Sequence, residues 1–160
     1  MNAFVGIGTN LGDREANIDE ALTRIEESLG EILVTSSVYE SEPWGFESKD
    51  KFLNMVVYIR TDLTPSGLLG RILMIEAQMG RIREDKEYKS RIIDLDILIY
   101  EDEILNEPSL EIPHPRIHER KFVLVPLCEI APDIVHPVKR KTFRELLEEC
   151  RDECEVVKFK

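Results

Sequence analysis

AFVGIGTNLGD, residues 3–13, opens with a short apolar strand, passes through a glycine-punctuated turn and reaches a helix cap at Asp13. Glycines spaced G-x-G-x-x-G here would announce a parallel, dinucleotide-binding sheet. Gly6, Gly8 and Gly12 are instead separated by two and four positions, and no Walker A sequence occurs in the chain. The glycines are therefore read as turn formers. The helix that follows carries Ile18, Leu22, Ile25 and Leu29 at helical spacing and ends at Gly30. A strand–helix unit without a phosphate loop shifts the expectation from a parallel sheet to an α+β fold.

Working outward, EILVTSSVYES (31–41) is β-branched enough for a strand. EPWGFESKDK (42–51) mixes Pro, Gly and charge and reads as a long loop. In KFLNMVVYIRT (51–61), Leu53, Met55, Val57 and Ile59 belong to a core face, while Phe52 and Asn54 begin the other. Thr64 and Pro65 start a second helix whose stripe runs through Leu69, Ile72 and Met79 to Gly80, with Glu76 on that same apolar stripe. RIREDKEYKSR (81–91) has no periodicity and is read as a loop. RIIDLDILIY (91–100) is a strand, followed by a turn at Glu101 to Glu103, a short extended passage and the His-Pro segment IPHPRIHERK. A helix is expected over Phe122 to Ile130 despite Pro126, and a last one, capped by Thr142, over Phe143 to Cys150. The order βαββαβ, helices on one side, predicts a ferredoxin-like core: a mainly antiparallel sheet with helices packed on it and a C-terminal extension. One domain over residues 1–160 is expected.

A chain of 160 residues that is 42% apolar can bury a core without disulfides or metal staples. With 32 acidic against 21 basic residues, its formal charge of -11 opposes broad contact with nucleic acid, so any anion site must be local. The three cysteines include no C-x-x-C pair, which fits a reducing compartment. No secretory signal or membrane-length apolar run is present, and a cytoplasmic protein is expected.

The chemistry gathers around RIIDLDILIY. Alternation sends Leu95, Ile97 and Ile99 one way and Asp94 and Asp96 the other, with the two aspartate backbones roughly 7 Å apart. Two carboxylates on one face repel, and a cation resolves the conflict. A pair of hard oxygen ligands, too few to cage a metal alone, suits Mg²⁺ completed by substrate phosphates. Arg81, Arg83, Lys86, Lys89 and Arg91 lead into the strand, and His114, Arg116, His118, Arg120 and Lys121 follow it, so a polyphosphate would meet metal and guanidinium together. His114 and His118 lack a third partner at zinc spacing. Phe52 and Phe122 are suited to stacking a flat heterocycle whose edge Asn54 reads, with Trp44 and Phe46 in the adjacent loop. Two rivals stay open at this level: a palm-like nucleotidyl-transfer enzyme, and a non-catalytic module in which the aspartates are surface charges.

GIGTNLGD, SSVYESEPWG, KFLNMVV, IEAQMGRIR, RIIDLDIL, IPHPRIHERKFVLVPL and EIAPDIVHP, in this order, resemble the 6-hydroxymethyl-7,8-dihydropterin pyrophosphokinase family of folate biosynthesis. The resemblance implies an enzyme that moves pyrophosphate from ATP to the pterin hydroxymethyl group, with two Mg²⁺ ions alongside ATP. It implies catalytic roles for Arg81, Arg91, Asp94 and Asp96, the aspartates being the metal ligands. It implies ATP contacts from Glu76, Arg83, Tyr88, Arg91, Ile97, His114 and Arg120, and pterin contacts from Ser41, Glu42, Trp44, Phe52, Asn54 and Phe122. Lys89-Ser90, Leu73 and Pro115 depart from the family's common pattern. The expected partners are these small molecules, with no nucleic acid or membrane, and the chain acting as a monomer or weak homodimer.

Overall fold

The computed structural model describes residues 1–45, 49–80 and 92–160. Its elements run β1 (Asn2–Thr9), α1 (Arg14–Ser28), β2 (Glu31–Thr35), β3 (Tyr39–Ser41), β4 (Phe52–Arg60), α2 (Pro65–Gln78), β5 (Asp94–Tyr100), β6 (Leu105–Glu107), β7 (Leu110–Ile112), a 3-10 turn (Ile117–Glu119), α3 (Lys121–Ile130), α4 (Phe143–Glu149) and β8 (Val156–Lys158). The helix starts follow local chemistry. Asp13 accepts a hydrogen bond from Ala16 N at 3.1 Å, Thr64 accepts one from Gly67 N at 3.1 Å, and Thr142 and Glu145 form a reciprocal capping box. Gly30 ends α1 because the chain passes close to β4: a Cβ there would lie 2.0 Å from the Arg60 carbonyl oxygen.

The fold is α+β, and every strand pairing among the described residues is antiparallel. The main sheet runs β5-β1-β4-β3-β8, with β2 also on β4. Segment 31–41 is not one strand. Ser36 interrupts it: its backbone N–H donates to Val56 O at 2.9 Å, while its hydroxyl accepts from Val56 N at 2.9 Å, standing in for a ladder carbonyl. β2 therefore takes the Arg60 end of β4, and β3 takes the Phe52 end.

Helices cover both faces of the sheet, rather than one. Ala3, Val5, Ile7, Leu53, Met55, Val57 and Ile59 pack with Ile18 and Ile25 of α1 and Leu68, Ile72 and Ile75 of α2. The α2 stripe thus uses fully buried Leu68, with Leu69 only at its margin. On the opposite face, Phe4, Val56, Leu98 and Ile99 pack with Leu124 and Leu127 of α3 and Phe143 and Leu146 of α4. Each fully buried aliphatic contributes about 1.5–3 kcal/mol, so both layers hold the sheet in place.

β5 departs from simple alternation. Val5 pairs with Ile97 and Phe4 with Ile99, skipping Leu98. This bulge turns Ile99 onto the α3–α4 side, away from Leu95 and Ile97, where alternation had placed it.

Candidate active site

The register of β5, β1 and β4 builds the site. Residues directly opposite in an antiparallel ladder project to the same side. Asp94, Gly8, Asn54 and Tyr39 form one such row, and Asp96, Gly6 and Val56 form the next. The aspartates and Asn54 therefore share a face, two strand spacings or about 10 Å apart, with only glycine between them. A Cβ on Gly8 would sit 3.3 Å from Asn54 Oδ1, 3.7 Å from Phe52 Cδ1 and 4.0 Å from Asp94 Cβ. Gly6 and Gly8 are strand residues, which corrects their reading as turn formers: a Cβ on Gly6 would meet the Leu98 side chain at 3.5 Å, and Gly8 puts no side chain of its own between Asp94 and Asn54; Gly12, with φ 74°, does occupy a turn. A glycine set between polar residues of the two neighbouring strands gains meaning only once register is known.

The Asn54 side of this row is aromatic and polar. Asn54 is buried and donates from Nδ2 to Ser41 Oγ at 2.6 Å, so the amide expected to need a partner finds one in Ser41, opposite Phe52. Exposed Glu42 follows Ser41. Cations lie close to the Trp44 loop that follows Ser41. The Arg120 guanidinium lies 4.7 Å from the Trp44 ring centre and 5.7 Å from that of Phe122, and Arg116 lies 5.6 Å from Trp44. Arg120 is buried at the start of α3, which packs against β3 and β4. Ser41, Trp44, Phe52, Asn54, Asp94, Asp96, Arg120 and Phe122 thus border one region.

His114 adjoins it, with its backbone N–H donating to Leu98 O at 2.9 Å. Burial first, then the charges of Arg120 and Arg116, hold its imidazole down at a pKa of about 4, against the opposing pull of Asp94. Its Nδ1 accepts from Arg116 N at 3.1 Å, so the neutral ring carries its proton on Nε2 and offers a donor at neutral pH. Glu76 is buried on the α2 side, where its Oε2 accepts from Leu95 N at 2.9 Å and covers the outer edge of β5. Ile97 buries its side chain on that same α2 side, leaving its backbone near the sheet edge. Arg81, Arg83, Lys86, Tyr88, Lys89 and Arg91, together with Phe46, lie outside the described residues.

A clasp that sequence reading missed fixes the entry to β5. Thr9 Oγ1 donates to the Ile92 carbonyl, and Asn17 Nδ2 reaches Thr9 Oγ1 at 3.1 Å, Leu11 O at 2.8 Å and Ile92 O at 3.3 Å. The carbonyl that precedes the aspartate strand is thereby tied to β1 and α1. Among the described residues, no group of three or more His, Cys, Asp or Glu is placed to hold a metal ion. The donor set is a half-buried carboxylate pair, which fits a hard cation that completes its shell from a ligand's oxygens.

A carboxylate pair, a buried arginine and an amide held by Ser41 on one face of the sheet suit an enzyme that handles a phosphate-bearing ligand. The sequence profile of the 7,8-dihydro-6-hydroxymethylpterin-pyrophosphokinase (HPPK) family matches residues 4–132, and the chain belongs to that family. The 2-amino-4-hydroxy-6-hydroxymethyldihydropteridine pyrophosphokinase of Aquifex aeolicus is 43% identical over 142 residues, covering 89% of this chain and 88% of that one. The Bacillus subtilis enzyme of the same name is 41% identical over 134 residues, covering 82% of this chain and 79% of its own. The fold is similar to that of Plasmodium falciparum HPPK-DHPS, with TM-score 0.74 at 21% identity over 92% of this chain and 44% of that one. Pyrophosphoryl transfer from ATP to hydroxymethyldihydropterin, in folate synthesis, is the activity of the chain, as the sequence led one to expect.

Proposed function

We propose that Asp94 and Asp96 hold two Mg²⁺ ions against the phosphates of ATP, and that the sheet face beside them seats the pterin between Phe52 and Phe122. The observation that carries this reading is the row Asp94–Gly8–Asn54, in which a residue without a side chain separates the carboxylates from an anchored amide. Asn54, held by Ser41, reads the edge of the heterocycle, with Glu42 and Trp44 beside it. When bound, Mg²⁺ neutralises phosphate oxygens and favours charge transfer to the leaving group. Arg120 and the Nε2–H of His114 supply further donors to phosphate, while Glu76 and the Ile97 backbone offer contacts on the outer edge of β5. Resemblance alone assigns Arg81, Arg83, Tyr88 and Arg91 to this chemistry.

In the reaction, the pterin hydroxymethyl oxygen bonds to the β-phosphorus of ATP as the bond from that phosphorus to the bridging oxygen of AMP breaks. The hydroxyl proton passes to solvent. Positioning and charge neutralisation dominate such transfers, so a strong base is not required. The strand order supports a ferredoxin-like core formed by β1, α1, β2 with β3, β4, α2 and β5, and the later elements form a C-terminal extension over its second face. We read residues 1–160 as one domain, cytoplasmic and monomeric or weakly dimeric; among the described residues, no helix is long and apolar enough to cross a membrane.

The test incubates the chain with MgCl₂, ATP and 6-hydroxymethyl-7,8-dihydropterin and measures AMP and pterin diphosphate. Asp96→Asn is expected to fold normally and to lose about 10²–10³ in kcat, because a neutral amide is a poor ligand for Mg²⁺. Wild-type turnover in that variant would overturn the metal role.

A further inference from the structure

Arg14 is the first residue of α1, where a cation meets the positive end of the helix dipole and is disfavoured. Its side chain makes contacts that account for the placement. Nη1 donates to Glu40 Oε2 at 2.8 Å and to the Lys51 carbonyl at 3.0 Å, and the guanidinium lies 5.6 Å from the ring centre of Phe159. Glu40 and Lys51 immediately precede Ser41 and Phe52, which face each other across the last pair of the β3–β4 ladder. Glu40 pairs with Leu53, a residue of the α1–α2 core, so the guanidinium grips the two strands from the side opposite Asn54. β3 has only three residues, and its other edge carries β8, which brings Phe159 onto Arg14 and Lys160 to within 3.4 Å of Glu15. A ladder this short frays unless its ends are tied.

We propose that Arg14 is a positioning residue for the pterin: it locks the ends of β3 and β4 from behind and so keeps Ser41, Phe52 and Asn54 in one arrangement before substrate arrives. The inference rests on the reading that these three residues take the pterin. The clamp borders a polar cavity of about 410 Å³, lined also by Asn10, Gly12, Lys49 and Asp50, and not the apolar core. Truncating Arg14 therefore leaves core packing in place. Its effect falls on the order of the pocket, which binding must then restore. The Mg²⁺–ATP side is held by other side chains, those of Thr9 and Asn17, which Arg14 does not touch in its contacts to Glu40, Lys51 and Phe159.

The experiment compares wild type, Arg14→Ala, Arg14→Lys and Glu40→Gln in the full chain, varying pterin at saturating ATP and ATP at saturating pterin, with thermal denaturation of each. Arg14→Ala is expected to raise the pterin KM about tenfold while the ATP KM stays within about twofold. Arg14→Lys should recover part of the loss, since an ammonium keeps the charge that pairs with Glu40 but lacks the planar guanidinium that lies against Phe159. Combining Arg14→Ala with Glu40→Gln should cost no more than Arg14→Ala alone. An unchanged pterin KM in Arg14→Ala, or an equal rise in both KM values, overturns the proposal. Should Arg14→Ala fail to fold, wild-type pterin KM in both Arg14→Lys and Glu40→Gln overturns it. A wild-type chain that forms no pterin diphosphate sinks the substrate reading itself, and that arm is read before any variant.

Discussion

Gly8→Ala tests the glycine between Asp94 and Asn54 with a single methyl group. The new Cβ would stand 3.3 Å from Asn54 Oδ1, close enough that the amide must yield by a few tenths of an ångström, but at ordinary contact distance from Phe52 at 3.7 Å and Asp94 at 4.0 Å. Gly8 does not have the positive φ of Gly12, so alanine suits its strand conformation. The fold should therefore survive with a stability change of less than about 1 kcal/mol, the glycine's entropic handicap in a strand partly offsetting the crowding. Substrate binding should suffer more. A methyl in a well-fitted space costs about 1–3 kcal/mol, which corresponds to a loss of roughly 5- to 150-fold in kcat/KM. Steady-state kinetics with pterin varied at saturating ATP measures that loss, and thermal denaturation checks the fold. Wild-type kcat/KM for pterin in a folded Gly8→Ala chain would refute the assignment of this face to the substrate.

Gly70 supplies the opposite case: it lies inside α2, and a Cβ there would meet no atom within 4 Å. Gly70→Ala should stabilise the chain by about 0.5–1 kcal/mol, raising Tm by a few degrees without altering kcat; a lower Tm would count against the helix. His136 gives a pH dependence. It is buried, its Nδ1 accepts from Val138 N at 3.1 Å and Lys139 N at 3.0 Å, and burial, then nearby His118 and Lys139, hold its pKa at about 4. The folded state thus binds fewer protons than the unfolded chain between pH 6.5 and about 4, so stability is full above that window and falls as pH drops through it. The loss should be on the order of 1–3 kcal/mol after solvent screening, with His114 adding in the same direction. Denaturant titrations at pH 7.5 and 4.5 should show this difference shrink in His136→Asn, and an unchanged difference would remove His136 as a source.

Much of the frame was legible because it is local. Asp13, Thr64 and Thr142 cap helices through bonds to residues three positions ahead, so sequence spacing carries the whole interaction. The period-2 pattern of β4 likewise records a core face that the structure retains in Leu53, Met55, Val57 and Ile59. Readings failed where a distant segment decides the outcome. Ser36 breaks a β-branched run because its hydroxyl meets the backbone of Val56, twenty residues on. The bulge at Leu98 appears only in pairing with β1 and moves Ile99 to the other layer. The second helical layer depends on Phe4, Val56 and Leu98 forming an apolar patch across three strands, which no single strand displays.

The site divides along the same physical line. Asp94, Asp96 and Asn54 were visible as polar groups in apolar strands, since such groups need partners or ligands wherever the fold puts them. Glu76 was visible for the same reason, and its hydrogen bond to Leu95 N shows how a charge on an apolar stripe can serve the edge of a neighbouring strand. Gly6, Gly8 and Thr9 were not visible. A glycine contributes by the side chain it lacks, and that absence acquires meaning only when register sets it between Asp94 and Asn54. Arg14 did carry a local sign, a cation at the first position of a helix, where the dipole argues for the opposite charge. That conflict between residue and position is the same kind of signal that made the aspartates conspicuous, and for Arg14 the contacts to Glu40 and Lys51 explain it.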